Sequence, residues 1–207
     1  MEPAILIFSL IVLLLSVVVH ELAHGYVALS LGDLTAKYAG RLTLNPLKHL
    51  DLFGSLILPL LLLIATAGQG PVFGWAKPIP INPHNFKDQK WGSLKVALAG
   101  PATNFAVAIA FGLFIRMFGL SPQLPFTNLM GIIVFYNFLL CIFNLIPIPP
   151  LDGHWILFSF LPRGFDGIKF FLQQYGIFIL IFLIFFGGLQ GVFTLSQYLF
   201  SITTGLY

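Results

Sequence analysis

A long apolar stretch at residues 4–31 carries two histidines and a glutamate where a lipid-embedded helix normally carries no such groups. About 20 apolar residues suffice to span the hydrocarbon core of a membrane as a helix. A charged side chain inside such a helix costs roughly 2.5–3.5 kcal/mol on insertion scales. His20, Glu21 and His24 must therefore have a role that offsets this cost.

These three polar residues form the pattern H-E-x-x-H. On an α-helix, positions i and i+4 lie on one face, so both imidazoles can bind the same metal ion. The glutamate can hold a water molecule instead of the metal, as in zinc hydrolases. We therefore predict a zinc site with His20 and His24 as ligands and Glu21 as a catalytic residue. The alternative, two structural histidines beside an unrelated glutamate, leaves polar groups unpaired in lipid.

The composition is that of an integral membrane protein. Of the 207 residues, 58% are hydrophobic and 8% are charged, whereas about 25% are charged in a soluble domain. The mean hydropathy is +0.96. The net charge of +3 comes from basic residues spread over loops, so no nucleic acid is expected as a partner. Cys141 is the only cysteine, which excludes a disulfide within the chain.

The apolar stretches predict an all-α, polytopic helical bundle that forms one membrane-embedded domain over residues 1–207. The expected spans are residues 4–31, 94–118, 127–149 and 170–187. The stretch 52–67 is apolar but short and contains Pro59, so we expect it to be re-entrant and to return to the same side. Residues 188–207 have one apolar face and are expected to lie in the membrane interface.

The lysines and arginines test this topology. If residues 52–67 return to the same side, Arg116 lies opposite all the other basic residues. Those nine are Lys37, Arg41, Lys48, Lys77, Lys87, Lys90, Lys95, Arg163 and Lys169. A full crossing by 52–67 would instead divide the ten residues four against six. The positive-inside rule favours the first arrangement and makes the basic side cytoplasmic.

A catalytic zinc ion usually has three protein ligands, so a third residue must reach the two histidines. Asp152 directly follows a long apolar span that ends, in the favoured topology, at the depth of the H-E-x-x-H pattern. We therefore predict Asp152 as the third ligand. His154 is the first alternative. His49 and His84 are weaker alternatives, because both fit solvated loop positions better.

Two further motifs accompany H-E-x-x-H on the predicted spans. They are Asn144-x-x-Pro147-x-x-x-x-Asp152-Gly153 and Gly100-Pro101-Ala102-Thr103-Asn104. Together the three motifs resemble the site-2 protease family of intramembrane zinc metalloproteases, peptidase family M50, which has a three-helix catalytic core. The segments 43–46 and 73–78 are similar to the compact prokaryotic branch of that family, in which we expect no PDZ or CBS domain.

The resemblance implies a zinc metalloendopeptidase with one Zn²⁺ per chain. Its substrate would be a single-pass membrane protein, cut within or near the transmembrane segment by regulated intramembrane proteolysis. Glu21 would take a proton from water and pass it to the leaving amine. The resemblance also implies a catalytic role for Asn144, near the substrate or the oxyanion, and a substrate-binding role for Asn104. The chain would lie in a prokaryotic plasma membrane, with the active site nearer the cytoplasmic side.

Proteolysis needs an extended substrate, whereas the carbonyls of a membrane helix are hydrogen-bonded within the helix. Segments near residues 38–44 and 72–81 are predicted to form strands or a short β-hairpin, with prolines restricting the second to a sheet edge. An unpaired edge that includes Arg41, Leu42 and Thr43 is predicted to bind the unwound substrate by β-augmentation. The alternative for these segments is an interfacial loop.

Two other functions remain open on the sequence alone. A membrane metal transporter would also need histidines and aspartate inside the membrane, but it would not need Glu21. A catalytically inactive relative that binds membrane partners would be expected to have a broken motif. All three motifs are complete here, which favours a protease.

Overall fold

The computed structural model describes residues 3–66 and 74–206, and the regular structure in these ranges is helical. A π-helical turn, Leu52–Ile57, leads into α3, and short 3₁₀ turns lie at Pro46–Lys48, Pro83–Asn85 and Arg163–Phe165. The α-helices are α1 Pro3–Ser30, α2 Thr35–Tyr38, α3 Leu58–Ala65, α4 Gly92–Met117, α5 Pro125–Asn144, α6 Gly153–Phe160, α7 Asp166–Phe185 and α8 Gln190–Thr204.

Four helices in the described ranges, α1, α4, α5 and α7, are long and apolar enough to cross a membrane. This confirms the predicted polytopic helical bundle, and the observed spans begin and end close to the expected ones. The largest difference is at the end of α5, which stops at Asn144 rather than near residue 149. The prolines that follow lack the N–H groups that a continued helix would need.

The core of the bundle consists of α1, α4 and α5, with α4 packed against both of the others. Buried apolar side chains fill the space between α4 and α5, namely Ala108, Ile115, Met130, Val134 and Phe138. α8 packs on the same two helices, where Gly112 makes room for Thr203 and Arg116 donates to the carbonyl of Ile202. The interfacial position of residues 188–207 concerns membrane depth and stays a prediction.

The end of α1, the start of α4 and the end of α5 meet at one end of the bundle, which we call the site end. His24 of α1 is hydrogen-bonded to the carbonyl of Val96 on α4. Asp152, which follows α5, lies within 3.2 Å of the same histidine. Arg116 lies in the last turn of α4, at the other end of that helix. The three core helices therefore run alternately up and down, as the charge distribution predicted.

After the π-helical turn the chain continues into α3, and at Trp75 it again lies beside that turn. The N–H of Trp75 donates to the carbonyl of Gly54 at 3.1 Å, and the Ser55 hydroxyl donates to the carbonyl of Trp75 at 2.8 Å. Asp51 caps the turn by accepting from the N–H of Gly54. These contacts agree with a segment that returns to its starting side, while re-entry into the lipid stays a prediction.

The strands predicted near residues 38–44 and 72–81 are absent from the described part of the chain. Residues 38–44 fold as a turn after α2, in which the N–H of Arg41 donates to the carbonyl of Ala36. Residues 72 and 73 lie outside the described residues, and from residue 74 onward the backbone pairs with no strand. The expectation was wrong for two reasons: local turns take the backbone hydrogen bonds near residues 38–41, and the side chains of Glu21 and Arg41 take those of residues 77–79.

Asp33 ties the segment before α4 to the end of α1. Its carboxylate is buried and accepts hydrogen bonds from the N–H of Asn82 at 2.8 Å, the amide of Asn85 at 2.8 Å and the N–H of Thr35 at 3.1 Å. Burial alone would raise the pKa of this carboxyl, but the hydrogen bonds from Thr35, Asn82 and Asn85 outweigh it and lower the pKa below its usual value. The ionised form of Asp33 therefore stabilises the fold.

The substitution Asp33→Asn is expected to destabilise the protein at neutral pH by about 2 kcal/mol, the usual contribution of a hydrogen bond to a charged group. The folded-state pKa lies below the unfolded-state value of about 3.9. The contribution is therefore complete above that value and is lost as pH falls through the folded-state pKa. Thermal unfolding in detergent should show a difference between wild type and variant at pH 7 that shrinks at acidic pH.

The matched control is Asp88→Asn, which removes an exposed ion pair with Lys95. Exposed pairs contribute little to stability, so its melting temperature should stay close to that of the wild type. Equal melting temperatures for Asp33→Asn and wild type at pH 7 would contradict the anchoring role of Asp33.

Candidate metal centre

Three side chains from two distant parts of the chain meet at the site end. His20 and His24 lie one turn apart on α1, and their Nε2 atoms are 3.0 Å from each other. Asp152 Oδ2 lies 3.0 Å from His20 Nε2 and 3.2 Å from His24 Nε2. Their ligand atoms are close enough together to bind one metal ion. The structure thus brings together the three residues that the sequence predicted as ligands.

The turn between α5 and α6 carries Asp152 back to α1. Gly153 packs so closely against the carbonyls of Leu145 and Ile146 that a Cβ atom at this position would overlap them. Asp152 precedes the first residue of α6, yet its carboxylate makes no capping hydrogen bond to that helix. The carboxylate is therefore available to face the two histidines.

The hydrogen bond that Nδ1 makes in each histidine determines which ring nitrogen carries the proton. His24 Nδ1 lies 2.7 Å from the carbonyl oxygen of Val96, and His20 Nδ1 lies 2.6 Å from Oδ1 of Asn104. Both partners are oxygen atoms that can only accept, so in the neutral imidazoles the proton is on Nδ1. Each Nε2 atom then directs a lone pair at the other histidine and at Asp152.

This arrangement needs a cation. Asp152 Oδ2 is buried and has no hydrogen-bond partner in the described part of the chain, and two nitrogen lone pairs face it. Three electron-rich atoms at this separation repel one another unless a positive ion lies between them. Zinc binds such ligands at 2.0–2.2 Å in tetrahedral geometry, which places the ligand atoms about 3.3–3.6 Å apart. The observed separations of 3.0–3.2 Å lie slightly below that range, so a small outward movement of the side chains would accommodate the ion.

α4 closes one side of the site through a glycine. A Cβ atom at Gly100 would overlap Nε2 of His24 and the Cε1 and Nε2 atoms of His20. Only a residue without a side chain allows the α4 backbone to approach the ligand atoms so closely. Gly100 therefore shapes the space available to the metal.

Glu21 lies beside the ligands and contacts a segment that we call the strap, residues 77–81. Its Oε2 atom accepts a hydrogen bond from the N–H of Ile79 at 2.8 Å. The side chain of Ile79 is buried against α1, next to Gly25. Residues 77 and 79 each precede a proline, which favours an extended backbone. The strap therefore runs across the residue predicted to activate water.

Comparison with known proteins agrees with this site. The model of peptidase family M50 matches residues 114–187. Among curated relatives named "Putative zinc metalloprotease", YwhC of Bacillus subtilis is 40% identical over 186 residues, covering 86% of this chain and 80% of its own length. Rip2 of Mycolicibacterium smegmatis is 32% identical over 171 residues, or 83% of this chain and 64% of the relative. No solved structure matches the chain.

The chain belongs to peptidase family M50, the site-2 protease family. It is accordingly a multi-pass membrane metalloprotease with zinc as its cofactor. His20, His24 and Asp152 offer a donor set that fits this ion. The family model covers Asp152 but begins after α1, so the geometry of α1 is independent support for the same conclusion.

The alternative metal ligands lie elsewhere. His154 Nδ1 bonds the carbonyl of Leu151 at 2.6 Å, and burial lowers the pKa of His154. His49 is fully buried, with Nε2 at 2.8 Å from the carbonyl of Thr43, so the expectation of a solvated His49 was wrong. His84 is exposed, as expected. None of these three belongs to the metal-binding group found among the described residues.

The residues predicted to bind substrate have varied surroundings. Arg41 is buried, and its guanidinium donates to the carbonyls of Lys77 at 2.8 Å and Pro78 at 3.4 Å in the strap. Leu42 packs in the apolar cluster beneath the strap. The carbonyl of Thr43 is bonded to His49. These residues support the strap and form no strand edge, and their substrate-binding role stays a prediction.

Three of the four asparagines on α4 and α5 show what the sequence predicted and what was missed. Asn104, predicted in the substrate groove, is fully buried and contacts His20. Asn144 is half-buried and donates to the carbonyl of Leu140 at 2.9 Å, away from the candidate ligands. Asn137, which the sequence reading missed, bonds Asn104. The missed signal was a polar residue inside a predicted span, since such residues are rare in lipid.

The substitution Gly100→Ala is expected to weaken zinc binding roughly 10- to 100-fold, because the added methyl group displaces both histidine rings. Gly131→Ala is the matched control, since its nearest neighbours are ring atoms of Phe200 at 3.5 Å, an ordinary contact distance. Zinc affinity is measured by competition with a chromogenic chelator in detergent. A folded Gly100→Ala protein with wild-type affinity would show that α4 does not confine the metal.

Proposed function

We propose that this metalloprotease hydrolyses a peptide bond within or near the transmembrane segment of a single-pass membrane protein, as in regulated intramembrane proteolysis. One observation carries the proposal: two of the three candidate ligands, His20 and His24, lie with Glu21 inside α1, a helix able to span the membrane. At 1.5 Å per residue, His24 lies roughly 9 Å before the end of that helix. A peptide bond reaching this site must itself lie at membrane depth.

Within the proposal, His20, His24 and Asp152 hold the ion and Glu21 moves protons. Zinc bound there would polarise the substrate carbonyl and lower the pKa of a water molecule to about 7. Glu21 takes a proton from the attacking water at one carboxylate oxygen and passes it to the nitrogen of the leaving amine. The N–H of Ile79 holds the other oxygen and so fixes the direction of the carboxylate.

We propose that the substrate unwinds along the strap. The strap lies against Glu21, and Arg41 holds its carbonyls from behind, so it offers a rigid extended backbone beside the site. Extended peptides bind beside an extended backbone through its hydrogen-bonding groups, and residues 80 and 81 are the part of the strap whose backbone groups are not used by Glu21, Arg41 or His49. Leu42 and Thr43 support the same surface from below. Asn144 would approach the oxyanion after releasing its bond to Leu140.

The proposed orientation places the site end on the cytoplasmic side of a prokaryotic plasma membrane. Its support is the charge distribution, in which Arg116 alone among the ten basic residues belongs to the opposite end of the predicted topology. Trp75 is hydrogen-bonded to Gly54 in the π-helical turn, so the chain comes back to where that segment began, which agrees with this topology. Water would then reach the zinc from the cytoplasmic side.

The substitution Glu21→Gln is expected to lower cleavage at least about 100-fold while one zinc per chain is retained, because the amide cannot accept the proton. The assay follows a reporter with one transmembrane segment in liposomes, alongside zinc content. Asp166→Asn, an exposed acidic position paired with Lys169, is the control and should cleave normally. Wild-type cleavage by zinc-loaded Glu21→Gln would overturn the proposal, and zinc transport without cleavage would favour the transporter.

The substitution Ile79→Pro is expected to lower cleavage about ten-fold, because it removes the N–H that holds Glu21. The change suits a backbone already flanked by prolines. Ile79→Val keeps the N–H and most of the buried side chain, so it should retain activity. Equal rates for the proline and valine variants, at equal zinc content, would show that this hydrogen bond does not orient Glu21.

A further inference from the structure

Three polar side chains meet in the interior of the bundle, behind the metal centre. We call Ser16 on α1, Asn104 on α4 and Asn137 on α5 the inner polar cluster. Asn104 is 0% exposed and Asn137 is 1% exposed, and Ser16 is also buried. All three lie in helices able to span a membrane. Polar groups at such positions are retained only when they have partners and a role.

The cluster is continuous with a predicted zinc ligand. Asn104 Oδ1 lies 2.6 Å from His20 Nδ1, and Asn104 Nδ2 donates to Asn137 Oδ1 at 2.8 Å and to the Ser16 carbonyl at 3.3 Å. Asn137 Nδ2 donates to the Ser16 hydroxyl and to the carbonyl of Ile133, both at 2.9 Å. Two hydrogen bonds therefore separate Asn137 from the imidazole of His20.

Two backbone carbonyls set the direction of each hydrogen bond, that of Ile133 beside Asn137 at 2.9 Å and that of Ser16 beside Asn104 at 3.3 Å. The carbonyl of Ile133 can only accept, so the NH₂ group of Asn137 faces it and Asn137 Oδ1 faces Asn104. The NH₂ group of Asn104 must then face Asn137, which leaves Asn104 Oδ1 facing His20. His20 consequently carries its proton on Nδ1 and keeps the lone pair on Nε2.

We propose that Asn137 is a positioning residue for the metal centre, which sets the tautomer of His20 by fixing the orientation of the Asn104 amide. Without Asn137, only the longer hydrogen bond to the Ser16 carbonyl, at 3.3 Å, holds the Asn104 amide, which can then rotate more readily and direct its NH₂ group at His20 Nδ1. That orientation favours the tautomer with the proton on Nε2, which cannot bind a metal. The inference deepens the proposed function, but it concerns zinc binding and does not depend on cleavage.

The test measures zinc affinity of the full chain in detergent by chelator competition. Asn137→Ala is expected to weaken zinc binding roughly 10- to 100-fold, the usual effect of losing a group that orients a ligand. Asn137→Asp retains an acceptor facing Asn104 and, as the neutral acid, a donor facing the Ile133 carbonyl, so it should stay within about three-fold of wild type. Should Asn137→Ala not fold, Asn137→Ser carries the same expectation of loss, because its hydroxyl is too short to hold Asn104.

A rescue experiment tests whether the loss of zinc affinity comes from the orientation of the Asn104 amide or from general damage to the bundle. In Asn104→Asp/Asn137→Ala, both carboxylate oxygens accept, so the group facing His20 cannot be wrongly oriented. This double variant should recover at least ten-fold of the lost zinc affinity. Thr127→Val is the control, because Thr127 is fully buried on the same helix and lies outside the cluster. It should leave zinc affinity unchanged.

Wild-type zinc affinity in folded Asn137→Ala or Asn137→Ser would overturn the inference. So would a loss that Asn104→Asp fails to restore, since the damage would then be structural. The proposed function can fail separately: zinc-loaded wild-type protein without proteolytic activity would reject proteolysis and leave the role of Asn137 intact.

Discussion

The mutual repulsion of three electron-rich atoms is the constraint on which the rest of this structure depends. His20 Nε2, His24 Nε2 and Asp152 Oδ2 lie 3.0–3.2 Å apart. In the neutral imidazoles the protons are on the Nδ1 atoms, which face Asn104 and Val96. The Nε2 lone pairs and the carboxylate oxygen therefore face one another at the end of a helix able to span a membrane. A bound zinc ion makes this arrangement favourable, and the surrounding features serve to keep the three atoms together. Gly100 lets α4 approach them, and the tight turn at Gly153 brings the aspartate to α1.

His20 and the inner polar cluster form one connected set of polar residues on the core helices. The contacts run from His20 on α1 to Asn104 on α4, then to Asn137 on α5 and back to Ser16 on α1. Each hydrogen bond therefore joins two different core helices. The same hydrogen bonds thus join α1, α4 and α5 and orient a metal ligand. This double use offsets the cost of burying polar groups in lipid, since every donor there needs an acceptor.

The strap shows where sequence patterns mislead. The sequence predicts a strand-like hairpin over residues 72–81, which their prolines restrict to a sheet edge. In the described residues the strap makes one backbone hydrogen bond, from the N–H of Lys77 to the carbonyl of His49, and otherwise pairs with side chains. Glu21 binds the N–H of Ile79, and Arg41 binds the carbonyl of Lys77. A local pattern cannot reveal that a carboxylate 58 positions earlier will take the place of a neighbouring strand. The membrane spans were predictable, because their length and apolarity are local properties.

The sequence by itself determined that His20 and His24 share a helix face with Glu21 beside them, because the helical repeat is fixed by the backbone. It also determined that this helix lies in a membrane and that Asp152 follows a span ending at the same depth. Only the tertiary structure decided that Asn137 adjoins Asn104, 33 positions away, and that Asn104 reaches His20, 84 positions away. Those contacts arise from the packing of α1, α4 and α5, and no short-range pattern encodes how neighbouring helices are rotated against each other.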